Sequence, residues 1–281
     1  MLASLTDYIK SWSLYPLPHH LISRLIYKLT RIESSYVPQA IVKFSKVFSV
    51  ELQQAVNPDP ASYKTFNEFF TRPIKPELRP IANSDLVSPV DGCISQIGSI
   101  EQGEIFQAKG HRYTAQALLG GNEVVASQFN QGQFATIYLS PKDYHRIHMP
   151  CAGTLKQQIH IPGRLFSVAP HTARTVPNLF ARNERVVALF DTEYGKMAMV
   201  LVGAINVAAI ETVWDGLITP PKGKKLSSKE YKKQKISLEK GEEMGRFNMG
   251  STVILLFTKD APKFSQKMGT GLPLIMGQAI S

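Results

Sequence analysis

Gly245-Arg246-Phe247-Asn248-Met249-Gly250-Ser251-Thr252-Val253-Ile254-Leu255-Leu256-Phe257 joins a glycine-punctuated stretch to an unbroken apolar run. The run from Val253 to Phe257, β-branched at its start, reads as a buried strand. Ser251 stands at its entrance, directly after Gly250. Glycine has no Cβ, so its backbone reaches conformations closed to other residues, and there the serine hydroxyl can approach the carbonyl carbon of residue 250. That is the geometry of an N-to-O acyl shift. The ester so formed can lose its carboxylate by β-elimination, and the dehydroalanine left behind hydrolyses to ammonia and a pyruvoyl group. A lone Gly-Ser-Thr equally describes a polar turn entering a strand, so the rest of the chain must decide.

Upstream of this strand, from Leu86 onward, short apolar segments alternate with glycine. Strands are predicted at Cys93 to Ile100, Glu104 to Ala108, Phe134 to Ser140, Gly153 to Ile161, Arg185 to Asp191, Lys196 to Val202 and Ala208 to Trp214, besides Thr252 to Phe257. The N-terminal texture is different. Leu21, Ile22, Leu25, Ile26, Leu29 and Ile32 recur at helical spacing, with Arg24, Lys28 and Arg31 on another face, and Leu2, Leu5, Tyr8, Ile9 and Trp12 form a shorter amphipathic pattern. Pro16 and Pro18 separate the two helices, a third apolar piece runs from Ile41 to Val56, and Asn57-Pro58-Asp59-Pro60 ends it. The chain is therefore α+β. It divides into an N-terminal helical region at 1–57, a helix with a Pro-rich connector at 58–85, and a β-rich domain at 86–281. No internal period indicates a solenoid.

Thirty-two Lys and Arg against 22 Asp and Glu give a formal charge of +10, which points to an anionic partner. The densest basic run, Lys222, Lys224, Lys225, Lys229, Lys232, Lys233 and Lys235, reads as a solvated loop that can also lie over anionic lipid. No nucleic-acid module accompanies it. The most apolar stretch, Met197 to Ile210, is too short to cross a bilayer, and Asp7 and Lys10 interrupt any signal sequence. The chain is expected to be cytosol-facing and unspanned. Cys93 and Cys151 are too few for a disulfide framework and lie in no Cys-x-x-Cys pattern, so buried or inert thiols are the expectation.

Two further segments carry acid–base residues: Ser88-Pro89-Val90-Asp91-Gly92 and Tyr144-His145-Arg146-Ile147-His148-Met149-Pro150. With Ser251 they supply an acid, a base and a hydroxyl in chain order. Read alone, Asp91 caps a turn, and His148 is either a core histidine or half of a His-x-x-His metal pair that lacks further ligands. These segments, together with Phe66-Asn67-Glu68-Phe69-Phe70-Thr71-Arg72, Tyr138-Leu139-Ser140-Pro141, Pro162-Gly163, Leu165-Phe166-Ser167-Val168, Asn183-Glu184-Arg185 and Val202-Gly203-Ala204, make the chain resemble the phosphatidylserine decarboxylases of the bacterial and mitochondrial type. The likeness covers most of residues 60 to 257. Met249 stands where the family usually carries Leu, an exchange of similar volume.

The resemblance implies a β-rich catalytic barrel or sandwich carrying N-terminal membrane-associating helices, often as a homodimer. It implies a carboxy-lyase that converts phosphatidylserine to phosphatidylethanolamine and carbon dioxide, peripheral on the cytoplasmic face of the cell membrane. The proenzyme is expected to cut itself between Gly250 and Ser251 into a β chain, 1–250, and an α chain, 251–281. In that scheme Asp91 orients His148, His148 deprotonates Ser251, and Ser251 becomes a covalent pyruvoyl group that condenses with the substrate amine as an imine, without metal or external cofactor. His145 is the candidate for proton transfer at the reacting carbon. An extended segment would send His145 and His148 to opposite faces, so a turn or helix is predicted there. Ser167 is a candidate substrate contact or a structural turn hydroxyl. Arg72, Arg146 and Arg185 are basic candidates that could equally satisfy Glu184 or Glu211. Two other classes compete: an uncleaved Asp-His-Ser lipid hydrolase, although no Gly-x-Ser-x-Gly elbow surrounds Ser251, and a noncatalytic lipid-binding protein.

Overall fold

The apolar runs, too short to bury themselves alone, meet in a large antiparallel sheet. A computed structural model describes residues 3–108, 110–205, 209–220, 225–232, 234–248 and 251–281. Its helices are α1 Leu5–Trp12, α2 His19–Leu29, α3 Val37–Phe48, α4 Phe66–Phe70, α5 Ala115–Leu118, α6 Glu123–Ser127, α7 Pro170–Thr175 and α8 Leu179–Arg182. The first strands are β1 Gly92–Ser99, β2 Glu104–Ala108, β3 His111–Thr114, β4 Gln133–Leu139, β5 Arg146–His148 and β6 Gly153–Ile161. There follow β7 Arg185–Thr192, β8 Gly195–Val202, β9 Ile210–Thr212, β10 Gly216–Thr219 and β11 Ser227–Glu230. The chain ends in β12 Ser237–Leu238, β13 Glu243–Phe247, β14 Ser251–Phe257 and β15 Pro273–Leu274.

Strand β14 lies inside the nine-stranded sheet, whose order is β11-β6-β7-β8-β14-β4-β1-β15 with β12 also on β6. Its register runs from Ser251 opposite Leu139 to Phe257 opposite Gln133 on one side, and from Thr252 opposite Val202 to Phe257 opposite Met197 on the other. All of β14 is buried, as a strand flanked on both sides and covered on both faces must be. A second sheet, β10-β9-β13-β5, carries the segment that leads into β14 and the strand that bears His148. At the start of β1 the backbones close tightly. A Cβ on Gly92 would sit 2.5 Å from the Tyr138 carbonyl oxygen, so only glycine lets the Asp91 turn join β4 there.

The C-terminal tail is stitched to the connector before β1. Gly277 accepts from the Ala82 amide at 2.9 Å, Gln278 from Ser88 at 2.7 Å, and Leu86 from Ile280 at 3.0 Å. Residues 251–281 thus touch the domain through both the central strand and this seam.

The N-terminal helices follow the sequence pattern but turn it outward. Ser4 caps α1 in a reciprocal box with Asp7, and Asp7 in turn accepts from Arg174 of α7 at 3.0 Å. The Ser11 and Thr175 hydroxyls meet at 2.5 Å, and His19 packs edge-on against Phe166. These contacts bury the polar residues Ser11, His19 and Ser23. The apolar stripe, Leu5, Ile9 and Trp12 with Leu21, Leu25, Leu29 and Ile32, is exposed. The amphipathic helices therefore dock on the domain by the face opposite to the one a soluble helix ordinarily buries. Among the described residues no helix is long and apolar enough to cross a membrane.

Two predicted local features differ. Residues 146–148 form a strand, not a turn or helix, because β5 completes its ladder with β13. The basic segment is not wholly a loop: Ser227 to Glu230 pair with β6 as an exposed edge strand, a backbone interaction that leaves no hydrophobic period to read. Lys222, Lys224 and Lys233 lie outside the described residues.

Candidate active site

Ser251 opens β14, fully buried, and its Oγ has no hydrogen-bond partner among the described residues. Sheet geometry explains this. As the first residue of an inner strand its backbone lies opposite Leu139, and the bonds of the sheet are made by the backbone, not by the hydroxyl. Gly250 and Met249 lie outside the described residues.

His145 is the second buried group with an unengaged atom. Its Nδ1 donates to the Asp143 carbonyl at 2.7 Å, which leaves Nε2 as the lone-pair nitrogen, and Nε2 has no partner among the described residues. Its backbone carbonyl accepts from Phe247, so the histidine loop is tied to the strand that precedes Ser251. Burial pushes His145 down to about 3, aided by the nearby Arg72 guanidinium, so the ring is neutral at ordinary pH. Phe70 stacks on it at 4.2 Å between centroids. The same Phe70 lines a cavity of about 130 Å³ with Phe44, Phe48, Leu139, Ser167 and Ala204. Ser167 is therefore on the wall of an apolar cavity, and its hydroxyl also accepts from the Ala169 amide at 3.3 Å. That bond is the local turn contact expected of a structural hydroxyl.

Asp91 and His148 are brought together by the backbone, with the His148 amide donating to the Pro89 carbonyl at 2.9 Å. Their side chains do not hydrogen-bond each other. Asp91 instead accepts from Arg79 Nε at 2.9 Å, from Arg79 Nη2 at 2.5 Å and from the Met276 amide at 2.8 Å. A bidentate guanidinium and an amide hold this carboxylate, and none of its hydrogen bonds goes to the imidazole. His148 donates from Nδ1 to the Gly241 carbonyl at 2.8 Å, and its Nε2 accepts from the Tyr144 hydroxyl at 3.1 Å. Gly241 takes φ +83°, and a Cβ there would meet Ile81 at 2.7 Å, so glycine is what allows this carbonyl to face the ring. Burial lowers the His148 pKa, partly offset by the Gly241 carbonyl and by the charges of Glu243 and Asp91. Asp91 and His148 are thus neighbours without a hydrogen-bonded relay, neither side chain is bonded to Ser251 Oγ, and His148 receives its tautomer from a backbone carbonyl.

Arg79 and Tyr144 carry this arrangement and were not singled out by sequence. Tyr144 sat inside the quoted histidine segment, but a tyrosine next to a histidine has no spacing signature. Arg79 lies in the connector, where only a turn was legible. Both line a polar cavity of about 140 Å³ with Asp91, Arg72, Asp143 and Gln54. The other basic candidates have different partners from those considered. Arg146 pairs with Glu243 at 2.8 Å, Arg185 donates to carbonyls including those of Leu118 and Ala181, and Glu184 pairs with His160 at 2.9 Å. Arg72 is buried and donates to the Lys142 carbonyl at 3.2 Å. Glu211 accepts from Asn248 at 3.0 Å, just before the Gly250–Ser251 pair. Cys151 is buried, and burial pushes its thiol up to about 12, the inert state expected of it; Cys93 is only partly buried.

The sequence model of the family described as phosphatidylserine decarboxylase matches residues 66–281, and a second one, described as PSD, matches residues 9–44. The phosphatidylserine decarboxylase proenzyme of Alkalilimnicola ehrlichii is 57% identical over 254 residues, covering 89% of this chain and 88% of that protein. The protein of the same name from Shewanella frigidimarina is 53% identical and covers 97% of each chain. That of Vibrio cholerae is 52% identical over 97% of this chain and 98% of its own.

Proposed function

The chain belongs to the phosphatidylserine decarboxylase family, and from that membership we propose how its own residues carry the reaction. It is a decarboxylase made as a self-processing proenzyme, and it converts phosphatidylserine to phosphatidylethanolamine and carbon dioxide. The lipid hydrolase and the noncatalytic lipid binder are not favoured.

Processing takes place at Ser251. Neutral His148 removes the hydroxyl proton, Oγ bonds to the Gly250 carbonyl carbon, and the Gly250–Ser251 peptide bond breaks to leave an ester. Elimination removes the Cα proton of residue 251 to a base and breaks the Cβ–Oγ bond, releasing chain 1–250 as a carboxylate; the resulting dehydroalanine takes up a proton at Cβ as it becomes the imine, and water then displaces ammonia at the head of chain 251–281. The observation that carries this reading is the buried Ser251 Oγ with no partner among the described residues, at the head of an inner strand. Nothing needs to be broken to free that oxygen for an internal attack.

The pyruvoyl group made from Ser251 supplies an electrophilic carbonyl for the substrate amine and a sink for the electrons left by carbon dioxide. The residues around it fit such a group: the position is buried, and its strand partner Leu139 lines the cavity whose wall includes Ser167. His145, neutral and with Nε2 open, holds and returns the proton at the reacting carbon. Phe44 and Phe48, on the α3 side of the cavity, exclude water from it.

The outward stripe of α1 and α2 supports docking at the surface of a membrane, with Arg24 and Lys28 on lipid phosphates. Anionic phosphatidylserine vesicles should bind the protein, and Leu21→Ser with Leu25→Ser should weaken binding about tenfold or more, read by sedimentation with vesicles. A homodimer is the family expectation and is read by sedimentation of the detergent-free protein.

The deciding experiment pairs intact mass with carbon dioxide release from phosphatidylserine vesicles. Wild type yields two chains, the smaller starting with a blocked residue at 251, and turns over; Ser251→Ala stays whole and silent. His145→Ala splits and does not turn over. An active preparation whose polypeptide is continuous through residue 251 ends this reading.

A further inference from the structure

The nitrogen of His148 that must receive the serine proton is already engaged. Its Nδ1 hydrogen is committed to the Gly241 carbonyl, so Nε2 is the lone-pair nitrogen, and the Tyr144 hydroxyl donates to it at 3.1 Å. Tyr144 is 6% exposed and packs in a small apolar cluster with Ile74 and Met276. Met276 donates its amide to Asp91, which Arg79 grips from the other side. The tyrosine is thereby held against His148 by the connector through Ile74 and by the C-terminal tail through Met276. Ile74 lies in the connector, outside the large sheet, and Met276 follows β15, the edge strand of that sheet, by two residues. The groups facing His148 besides Tyr144 are the Gly241 carbonyl, Arg146, Glu243 and Asp91. None of these is within hydrogen-bond distance of Nε2 in place of the hydroxyl.

We propose that Tyr144 is a positioning residue that caps His148 Nε2 and restrains self-cleavage, so that the tail and connector, through the packing of Met276 and Ile74 on the tyrosine ring, set how fast the chain cuts itself. The inference rests on His148 being the base for Ser251. A hydroxyl bonded to Nε2 must be displaced before Ser251 can use the same lone pair. One neutral hydrogen bond of this kind corresponds to a change of about two- to tenfold in the fraction of open base.

Tyr144→Phe keeps the ring and its packing and removes only the donor. The self-cleavage rate is measured against pH on freshly refolded chain by intact mass. The expected result has two parts: a plateau raised about two- to tenfold, and an acid limb moved to higher pH. The second part follows because a hydrogen bond to the neutral ring lowers its pKa, so its removal raises the pKa and the base protonates sooner as pH falls. A plateau and limb that both stay at the wild-type values overturn the cap. A lowered plateau overturns it as well, since the hydroxyl would then be helping the proton move. His148→Gln, run beside it, tests the parent reading alone: cleavage at the wild-type rate removes His148 as base, whereas a silent His148→Gln with an unaltered Tyr144→Phe removes only the cap. In the uncut Ser251→Ala protein, the imidazole nitrogen resonances report the bond without any cleavage. Nε2 should shift toward the position of an unbonded lone-pair nitrogen on adding Tyr144→Phe, and an unmoved resonance sinks the inference.

Discussion

The fully buried head of β14 and the partly buried corner where the start of β1 meets β5 treat their polar atoms in opposite ways. At the strand head the hydroxyls of Ser251 and Thr252 have no partner among the described residues. At the corner both oxygens of Asp91 and both nitrogens of His148 are engaged. A buried hydroxyl left unbonded costs about 1–3 kcal/mol, whereas a saturated carboxylate fixes its surroundings. The difference separates two tasks. In the proposed cleavage the corner holds geometry, and the strand head keeps an oxygen free for an attack on its own backbone.

If that division is right, the largest effect should come from the corner's imidazole, the proposed base. His148→Gln is expected to slow self-cleavage ~10²–10⁴-fold while the chain still folds, read by intact mass over days. An equal loss from Asp91→Asn would merge the two roles and break the comparison. Next in size is the ion pair that holds the corner. Arg79 and Asp91 side chains are each 10% exposed, and Arg79→Met leaves a mostly buried carboxylate with only the Met276 amide. A loss of roughly 3–5 kcal/mol is expected in urea unfolding of the uncut Ser251→Ala protein.

The third test is the pH dependence of stability. His145 is held near 3 in the fold and returns to its ordinary value of about 6.5 when unfolded, so between these pH values the unfolded chain binds the extra proton. Its contribution is complete above about 6.5 and is lost as pH falls toward 3. His145→Phe should flatten that slope relative to wild type in denaturant titrations. Parallel slopes would mean that His145 is not the buried neutral ring it is here. The smallest effect belongs to the strand head. Thr252→Val removes an unbonded hydroxyl at nearly constant shape, and a gain of about 1 kcal/mol is expected in the Ser251→Ala background. A loss instead would show a bond to that hydroxyl.

The strands were legible where the local sequence carries their cause. Glu104–Ala108 and Gly153–Ile161 have the bounds that apolar alternation assigns them, and the run at Val253 does lie in an inner strand. The edge strand Ser227–Glu230 was not, because its residues are exposed and only backbone pairing to His160 and its neighbours makes it a strand. The direction of α1 and α2 was equally out of reach. Periodicity shows that one face is apolar but not which face meets the domain; that depends on Thr175, Arg174 and Phe166, far away in sequence. In the site, Asp91, His145, His148 and Ser251 stood out by residue type and motif. Their partners did not. Arg79, Gly241 and Met276 reach them from the connector, from a turn and from the tail, and nothing local marks an amide or a carbonyl as a future ligand of a side chain.

Under the proposed cut between residues 250 and 251, the seam between the tail and residues 82–88 changes what kind of object the protein is. Up to that moment, melting and refolding are events of one molecule and are independent of dilution. Afterwards the short piece stays only by docking, through an inner strand and that seam, so unfolding yields two separate species and its midpoint depends on concentration. A strand flanked on both sides must also be threaded back between its neighbours. The cut chain therefore inherits a shape that only its precursor could reach directly, and its endurance is governed by how slowly it opens.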